Sequence, residues 1–522
     1  QKAVRAARIA GKVLPTPKLP SISAELLSAA PPPGTKQQLT ELGPERFAEW
    51  LRHDPLIHYT DTTLRDAHQS LLATRVRSHD LIKPLARYAR LHPQTFSLEC
   101  WGGATFDVAL RFLHEDPWDR LARMRAHAPN ILLQMLIRGA NGVGYKAYPD
   151  NLTEEFVEKA WETGVDVFRI FDSLNWMKGM EACIGFVRNR TQGLAEAAIC
   201  YTGDILDPKR TKYSLDYYVR LAKQIEEAGA HILCIKDMAG LLKPYAAKEL
   251  VTALREAVKL PIHLHTHDTS SLQAATYLQA IEAGVNVVDV AFGSLSGLTS
   301  QPNFNSLVEA IRHTPRHQEF DQKSLNEFST YWEAVRELYY PFEADLKAGT
   351  SEVFQHEIPG GQYSNLRPQA ASLGLLDRFE EVKQRFQDVN VLFGDIVKVT
   401  PSSKVVGDMA LFMVSNNLTP EDVLLKGQTL SFPDSVVELL RGDIGQPEGG
   451  FPKRLQKLVL KGEKPYTDRP NEHLKPIDFD AEWAAFQESH PGAQFTDLLS
   501  ALLYPKVFAD YWQHRQTYGE VW

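Results

Sequence analysis

Eight short apolar runs follow one another between residues 56 and 293, and that count constrains the fold more than any other feature. They are LIHYT (56–60), FSLECW (96–101), ILLQMLIRG (131–139), VDVFRIFD (165–172), EAAICYTGD (196–204), HILCIKD (231–237), PIHLHTHD (261–268) and VNVVDVAFG (285–293). Between them lie stretches with the apolar spacing of amphipathic helices, such as LTEEFVEKAWETG, DYYVRLAKQIEEAG, YAAKELVTALREAV and LQAATYLQAIEAG. Several end in glycine, as helix C-termini often do. Strand and helix alternating eight times predict an α/β protein of the (β/α)₈ TIM-barrel type. An open doubly wound sheet is the alternative, but no Gly-rich dinucleotide fingerprint follows the first strand.

The pattern changes on either side. Residues 1–12 are basic and alanine-rich, and 13–37 carry PTPKLP and PPPG, a Pro-rich connector ahead of a short helix in GPERFAEWLRH. We expect residues 1–45 to be a linker and entry helix cut from a longer chain, and 46–320 to be the barrel. After 320 the strands stop, and stretches such as LLDRFEEVKQRFQDVNVLFG and SSKVVGDMALFMVSNN predict an all-α domain over 321–522 that caps the barrel mouth. PGGQYSNL (359–366) reads as a turn.

With 522 residues and a net charge of -8, the chain is long enough for two or three domains and is a poor fit to a nucleic-acid partner. No run is apolar enough to span a bilayer, so no membrane partner is expected. The four cysteines, Cys100, Cys183, Cys200 and Cys234, form no CxxC pair and read as small core residues. A reducing compartment is the expected location: cytoplasm, or the mitochondrial matrix in a eukaryote.

Barrel chemistry gathers at the C-terminal ends of strands. There the sequence puts Arg65, Asp66 and Gln69 after the first strand, Asp107 after the second, Arg138 and Tyr145 after the third, and Asp172 after the fourth. Lys236 and Asp237 end the sixth, and His265, His267 and Asp268 the seventh. Residues two apart on a strand share a face, so His265 and His267 can meet one ion, with Asp66 as third ligand; Zn, Mn or Co suits that set. Paired rim histidines without an ion are the plainer reading. Lys236 admits three: a Schiff-base amine for a keto substrate, an amine converted by carbon dioxide to an anionic carbamate ligand, or a lysine reaching solvent beside Asp237.

Several longer stretches are more specific. DTTLRDAHQSLLATRVRSHDL, ECWGGATFDVALRFLHEDPW, QMLIRGANGVGY, FRIFDSLN, CIKDMAGLLKP, HTHDTS, GLTSQPN, PGGQYSNL and VTPSSKVVGDMALFMV together resemble the carboxyltransferase domain of the pyruvate carboxylases, over roughly residues 35–520. Transcarboxylase and oxaloacetate decarboxylase subunits are related alternatives. The resemblance implies carboxyl transfer from N-carboxybiotin to pyruvate, giving oxaloacetate, with biotin delivered by a separate carrier domain. It implies Asp66, His265, His267 and a carbamylated Lys236 as ligands of a divalent metal. It implies Gln69 and Arg138, with Arg65, around pyruvate; Arg65, Asp107 and Tyr145 around the biotin ring; Thr400 as proton shuttle; and Ser403 beside the biotin pocket. Asp172 is a candidate substrate contact or a cap, and Thr400 also a candidate N-cap. The expected partners are the carrier and biotin carboxylase domains, neither of which the sequence contains, and a second copy in a homodimer that forms a tetramer in the full enzyme. One departure is Ser271, where the family usually has glycine.

Overall fold

A computed structural model describes residues 14–343 and 346–521; the basic start at 1–12 lies outside the described residues. The eight runs form eight parallel strands, β1 (His58–Asp61), β2 (Ser97–Gly102), β3 (Leu132–Ile137), β4 (Val167–Phe171), β5 (Leu194–Cys200), β6 (Ile232–Asp237), β7 (Ile262–Thr266) and β8 (Val287–Val290). They close in sequence order, with β8 pairing to β1. Connecting helices cover the outside, and their ends follow local chemistry. Asp116 caps Pro117–His127 by accepting from the Trp118 and Asp119 amides. Gly229, at φ 86°, follows Leu215–Glu227 in the left-handed conformation that ends a helix and that glycine adopts without penalty.

Partners across a parallel pair face the same way, so the register fills the lumen predictably. Arg169 pairs with Glu196, Cys234 with His263, Lys236 with His265, and Thr60 with Asp289. These inward residues are polar, where barrels usually stack branched apolar side chains. Below them an apolar floor closes the barrel. Helix Thr35–His53 packs Leu39, Phe47 and Leu51 against Phe96, Val167, Ile232 and Val287.

Two expectations about the flanks change. The entry helix starts at Thr35, inside the presumed connector, because Gly43 (φ 74°) turns the chain and Pro44 then begins its second part, where a missing N–H costs nothing. PGGQYSNL is not a turn but opens helix Gly360–Ser372. Its glycine serves a close approach instead: a Cβ on Gly360 would lie 3.0 Å from Thr299 Cβ.

The expected single helical body over 321–522 is divided. Residues 358–459 hold a core of their own, built on Phe386, Val389, Phe393, Val406, Met409 and Leu439. Phe486, Leu498, Leu503, Tyr504 and Phe508 instead join the barrel's apolar cluster. There Trp118 Nε1 donates to Ser500 Oγ (3.0 Å), Tyr148 OH to the Leu503 carbonyl (2.7 Å) and Tyr504 OH to the Val143 carbonyl (2.5 Å). The cysteines are free and buried. No helix among the described residues is long and apolar enough to cross a membrane.

Candidate active site

The strand ends open into a cavity of about 390 Å³ that holds Arg65, Asp66, Gln69, Asp107, Arg138, Tyr145, Lys236, His267 and Thr400. A second cavity of about 470 Å³ shares Asp107, Tyr145, Gln362 and Thr400 with it, and continues past Lys404 and Ser435 into the helical domain.

At its base, Asp66, His265 and His267 offer three buried ligand atoms, all within 4.8 Å of one another. Asp66 sits in a π-helical turn, Thr63–Ala67, directly after β1. His265 Nε2 and His267 Nε2 are 3.1 Å apart, and each is 3.4 Å from Asp66 Oδ2. His267 Nδ1 lies 2.6 Å from the Thr299 carbonyl, which can only accept, so that nitrogen carries the proton. Nε2 therefore presents a lone pair toward the other two ligand atoms. Burial and the Lys236 ammonium push His265 well below the usual imidazole range. Two imidazole nitrogens and a carboxylate in such proximity fit a divalent transition cation. Burial raises the Asp66 carboxyl, but the Arg65 guanidinium beside it outweighs this and holds it well below the carboxylate range. Arg65 Nη1 and Gln301 Nε2 donate to its two oxygens at 3.0 and 2.9 Å.

Lys236, 4 % exposed, lies beside His265 in register and has no carboxylate partner among the described residues. Arg138 is held by the Val143 and Gly144 carbonyls (2.6 and 3.1 Å) and stacks 4.5 Å from the Tyr145 ring. It also lacks a carboxylate partner among the described residues. A cavity with two such cations suits an anionic substrate. Gln69 Oε1 accepts from Arg65 at 3.1 Å. Asp107 pairs with Arg111 one turn on, at 2.9 Å. Thr400 does not cap helix Ser402–Ser415. The Ser403, Lys404 and Val405 amides there donate to the Val399 and Pro401 carbonyls (3.3, 3.0 and 3.2 Å), and Thr400 lines both cavities.

Two candidates fall outside this group. Asp172 accepts from the Leu174 and Trp176 amides (2.8 and 2.9 Å) and shapes the turn after β4; burial raises its carboxyl to about 6. Ser403 is fully buried and lines neither cavity, its hydroxyl without a hydrogen-bond partner among the described residues. Ser271 occupies φ 61°, where a non-glycine residue costs about 1–2 kcal/mol.

Sequence reasoning missed the lumen beneath the site. Arg169, Glu196, His263 and Asp289 form a buried cluster at zero exposure. The signals were present: Arg169 is the one charge within VFRIF (167–171) and Asp289 the one within VVDV (287–290), and His263 shares a face with His265 by the same period of two.

The fold and site together define a helix-capped (β/α)₈ barrel with a buried Asp–His–His cluster beside a lysine. Residues 353–522 match the family described as conserved carboxylase domain, and residues 153–331 the HMGL-like family. The chain is 56% identical to the pyruvate carboxylase of Bacillus subtilis over 94% of its own length and 43% of that relative. It is 50% identical to the human mitochondrial pyruvate carboxylase, over 97% of this chain and 43% of the relative. The chain thus spans less than half the length of the curated relatives it matches. Among solved structures, the carboxyl transferase domain from Rhizobium etli pyruvate carboxylase superposes with TM-score 0.94 at 51% identity, covering 99% of this chain and 89% of that one. The same domain with pyruvate and biocytin gives 0.93 at 52%, with the same coverage. This chain belongs to the carboxyltransferase-domain family of the pyruvate carboxylases.

Proposed function

We propose that this chain transfers a carboxyl group from N-carboxybiotin to pyruvate, giving oxaloacetate, within a biotin-dependent carboxylase. The observation that carries this reading is a single cavity that gathers the metal-type cluster, Lys236, Arg138 and Thr400 from the barrel and the helical domain. The relative solved with pyruvate and biocytin supports both substrates.

Asp66, His265, His267 and a carbamylated Lys236 hold a divalent transition ion, Zn, Mn or Co, which when bound polarises the keto oxygen of pyruvate and stabilises enolate charge. Carbamylation starts with loss of one proton from the Lys236 ammonium; the free amine nitrogen then bonds to the carbon of carbon dioxide and gives up a second proton. It turns the cation beside two imidazoles into an anion. The Arg138 fork, fixed by two carbonyls, takes the substrate carboxylate with Gln69. Arg65, Asp107 and Tyr145 orient the biotin ring, which enters along the adjoining cavity past Lys404. Carboxybiotin loses carbon dioxide in the closed site. Thr400 then accepts a methyl proton from pyruvate as its own hydroxyl proton passes to biotin, since one hydroxyl can both donate and accept. The resulting enolate carbon attacks the retained carbon dioxide. Ser403 supports the wall behind Thr400, and Asp172 supports the β4 turn.

The carrier and biotin carboxylase domains are proposed partners, and a homodimer that forms a tetramer in the full enzyme the proposed assembly, in the cytoplasm or, in a eukaryote, the mitochondrial matrix. The chain should decarboxylate oxaloacetate when free biotin is added. Lys236→Ala should lower that rate about 10³-fold or more, the several kcal/mol that a Lewis-acid metal supplies, and reduce bound metal in the purified protein. A chelator-insensitive rate, with borohydride trapping a keto acid on Lys236, would reverse the reading toward a Schiff-base aldolase.

A further inference from the structure

The polar cluster under the site is costly to build. Taking ions out of water is expensive, and well-packed apolar residues often serve a core equally well or better. Stability alone therefore does not account for Arg169, Glu196, His263 and Asp289 lying at zero exposure where other barrels stack Val, Ile and Leu.

The wiring is specific. Arg169 clamps Asp289 through two nitrogens, Nη1 to Oδ2 at 2.5 Å and Nη2 to Oδ1 at 3.1 Å, and its Nε donates to Glu196 Oε1 at 2.5 Å. His263 bridges the two acids, Nδ1 to Glu196 Oε2 at 2.8 Å and Nε2 to Asp289 Oδ1 at 2.6 Å. Asp289 Oδ2 also reaches upward to His265 Nδ1 at 2.6 Å. Arg169 Nη1 lies 3.4 Å from that same ring nitrogen. A carboxylate clamped by a guanidinium is ionised and can only accept, and a guanidinium cannot accept at all. The proton between Asp289 and His265 must therefore sit on His265 Nδ1. The other ring nitrogen, Nε2, is then left with its lone pair aimed at Asp66 and His267.

We propose that Asp289 is a positioning residue for the metal centre: clamped by Arg169, it fixes the tautomer and ring orientation of His265 so that Nε2 faces the ion. This rests on the reading of Asp66, His265 and His267 as metal ligands. Ligand histidines usually give their second N–H to such an acceptor, and losing it typically costs 10–100-fold in metal affinity. Glu196 lies one partner further away and serves as the control. It shares the cluster's burial and its Arg169 clamp but does not touch His265.

The test measures Zn affinity of the purified chain by competition with a chromophoric chelator, and the visible spectrum of the Co-substituted chain. Asp289→Asn keeps the side-chain shape but can donate its amide to Nδ1, which turns the proton of His265 to Nε2. It should bind Zn about 10–100-fold more weakly and alter the Co spectrum, while Glu196→Gln retains both within about threefold. Equal Zn affinity in wild type and Asp289→Asn overturns the proposal, and so does an equal loss in both variants. Should Asp289→Asn fail to fold, long-range ¹H–¹⁵N correlations of the metal-free wild-type histidines decide, with His265 assigned by comparison with His265→Gln. The Nδ1–H tautomer is expected, and Nε2–H overturns the proposal. A wild-type chain that binds no metal sinks the functional reading instead, and the tautomer measurement still judges Asp289.

Discussion

The barrel lumen and the helical core at 358–459 are equally buried and built on opposite rules. The helical core is an apolar jigsaw of Phe386, Phe393, Val406, Met409 and their neighbours. The lumen has an apolar floor, but above it stand Glu99, Arg169, Glu196, His263 and Asp289, all at zero exposure, and then the site. An apolar core needs roughly the right volume in each place. A charged core needs a particular partner for each atom, because an unpaired buried charge has no solvent to fall back on. The part of the molecule under the chemistry is thus the part with the least freedom to vary.

The contrast can be broken most forcefully at Arg169. Arg169→Met removes the shared partner of Asp289 and Glu196 and should cost about 3–5 kcal/mol in urea unfolding. A loss under about 1 kcal/mol would mean the lumen is no stricter than any other core. Acid sharpens the contrast next. Burial raises the Glu196 carboxyl, but Arg169 and His263 outweigh it and leave the folded value below the ordinary one. A depressed folded value gives stability that is complete above the unfolded value and is lost as pH falls through the folded one. Glu196→Gln should therefore flatten the decline in stability below about pH 4.5, read by unfolding at stepped pH. An unchanged slope would remove Glu196 from the lumen's acid response. The smallest effect belongs to the helical core, where Met409→Leu, a swap of similar volume, should cost under about 1.5 kcal/mol by the same unfolding assay. A larger loss would show that core to be as exacting as the lumen.

The same contrast governs how much the sequence disclosed. Barrel strands were legible because eight apolar runs at regular spacing have few alternative folds. The gathering of Asp66, Arg138, Lys236, His265 and His267 was legible because strand C-termini are where barrel chemistry is sought, and the family motifs added Thr400. Arg169 and Asp289 were not, because a single charge inside an apolar strand says nothing about its partner on another strand. Their pairing is a property of the closed register. Gly360 misled for a related reason: Pro–Gly–Gly has turn chemistry, while the close approach to Thr299 that its missing side chain permits is a contact between distant segments. Thr400 looked like a cap because helix Ser402–Ser415 begins beside it, but the first amides of that helix go to the Val399 and Pro401 carbonyls and no side chain caps that end.

The tyrosine brace on the third strand's loop carries a consequence for biosynthesis. Tyr504 holds the Val143 carbonyl from 361 positions further along the chain, and Arg138 leans on that same carbonyl. At about 5–20 residues per second, a ribosome needs on the order of tens of seconds to travel from one to the other. By the end of that interval every strand has been made, yet Arg138 rests on a loop that still lacks its tyrosine brace. Competence arrives late in translation, well after the barrel can close.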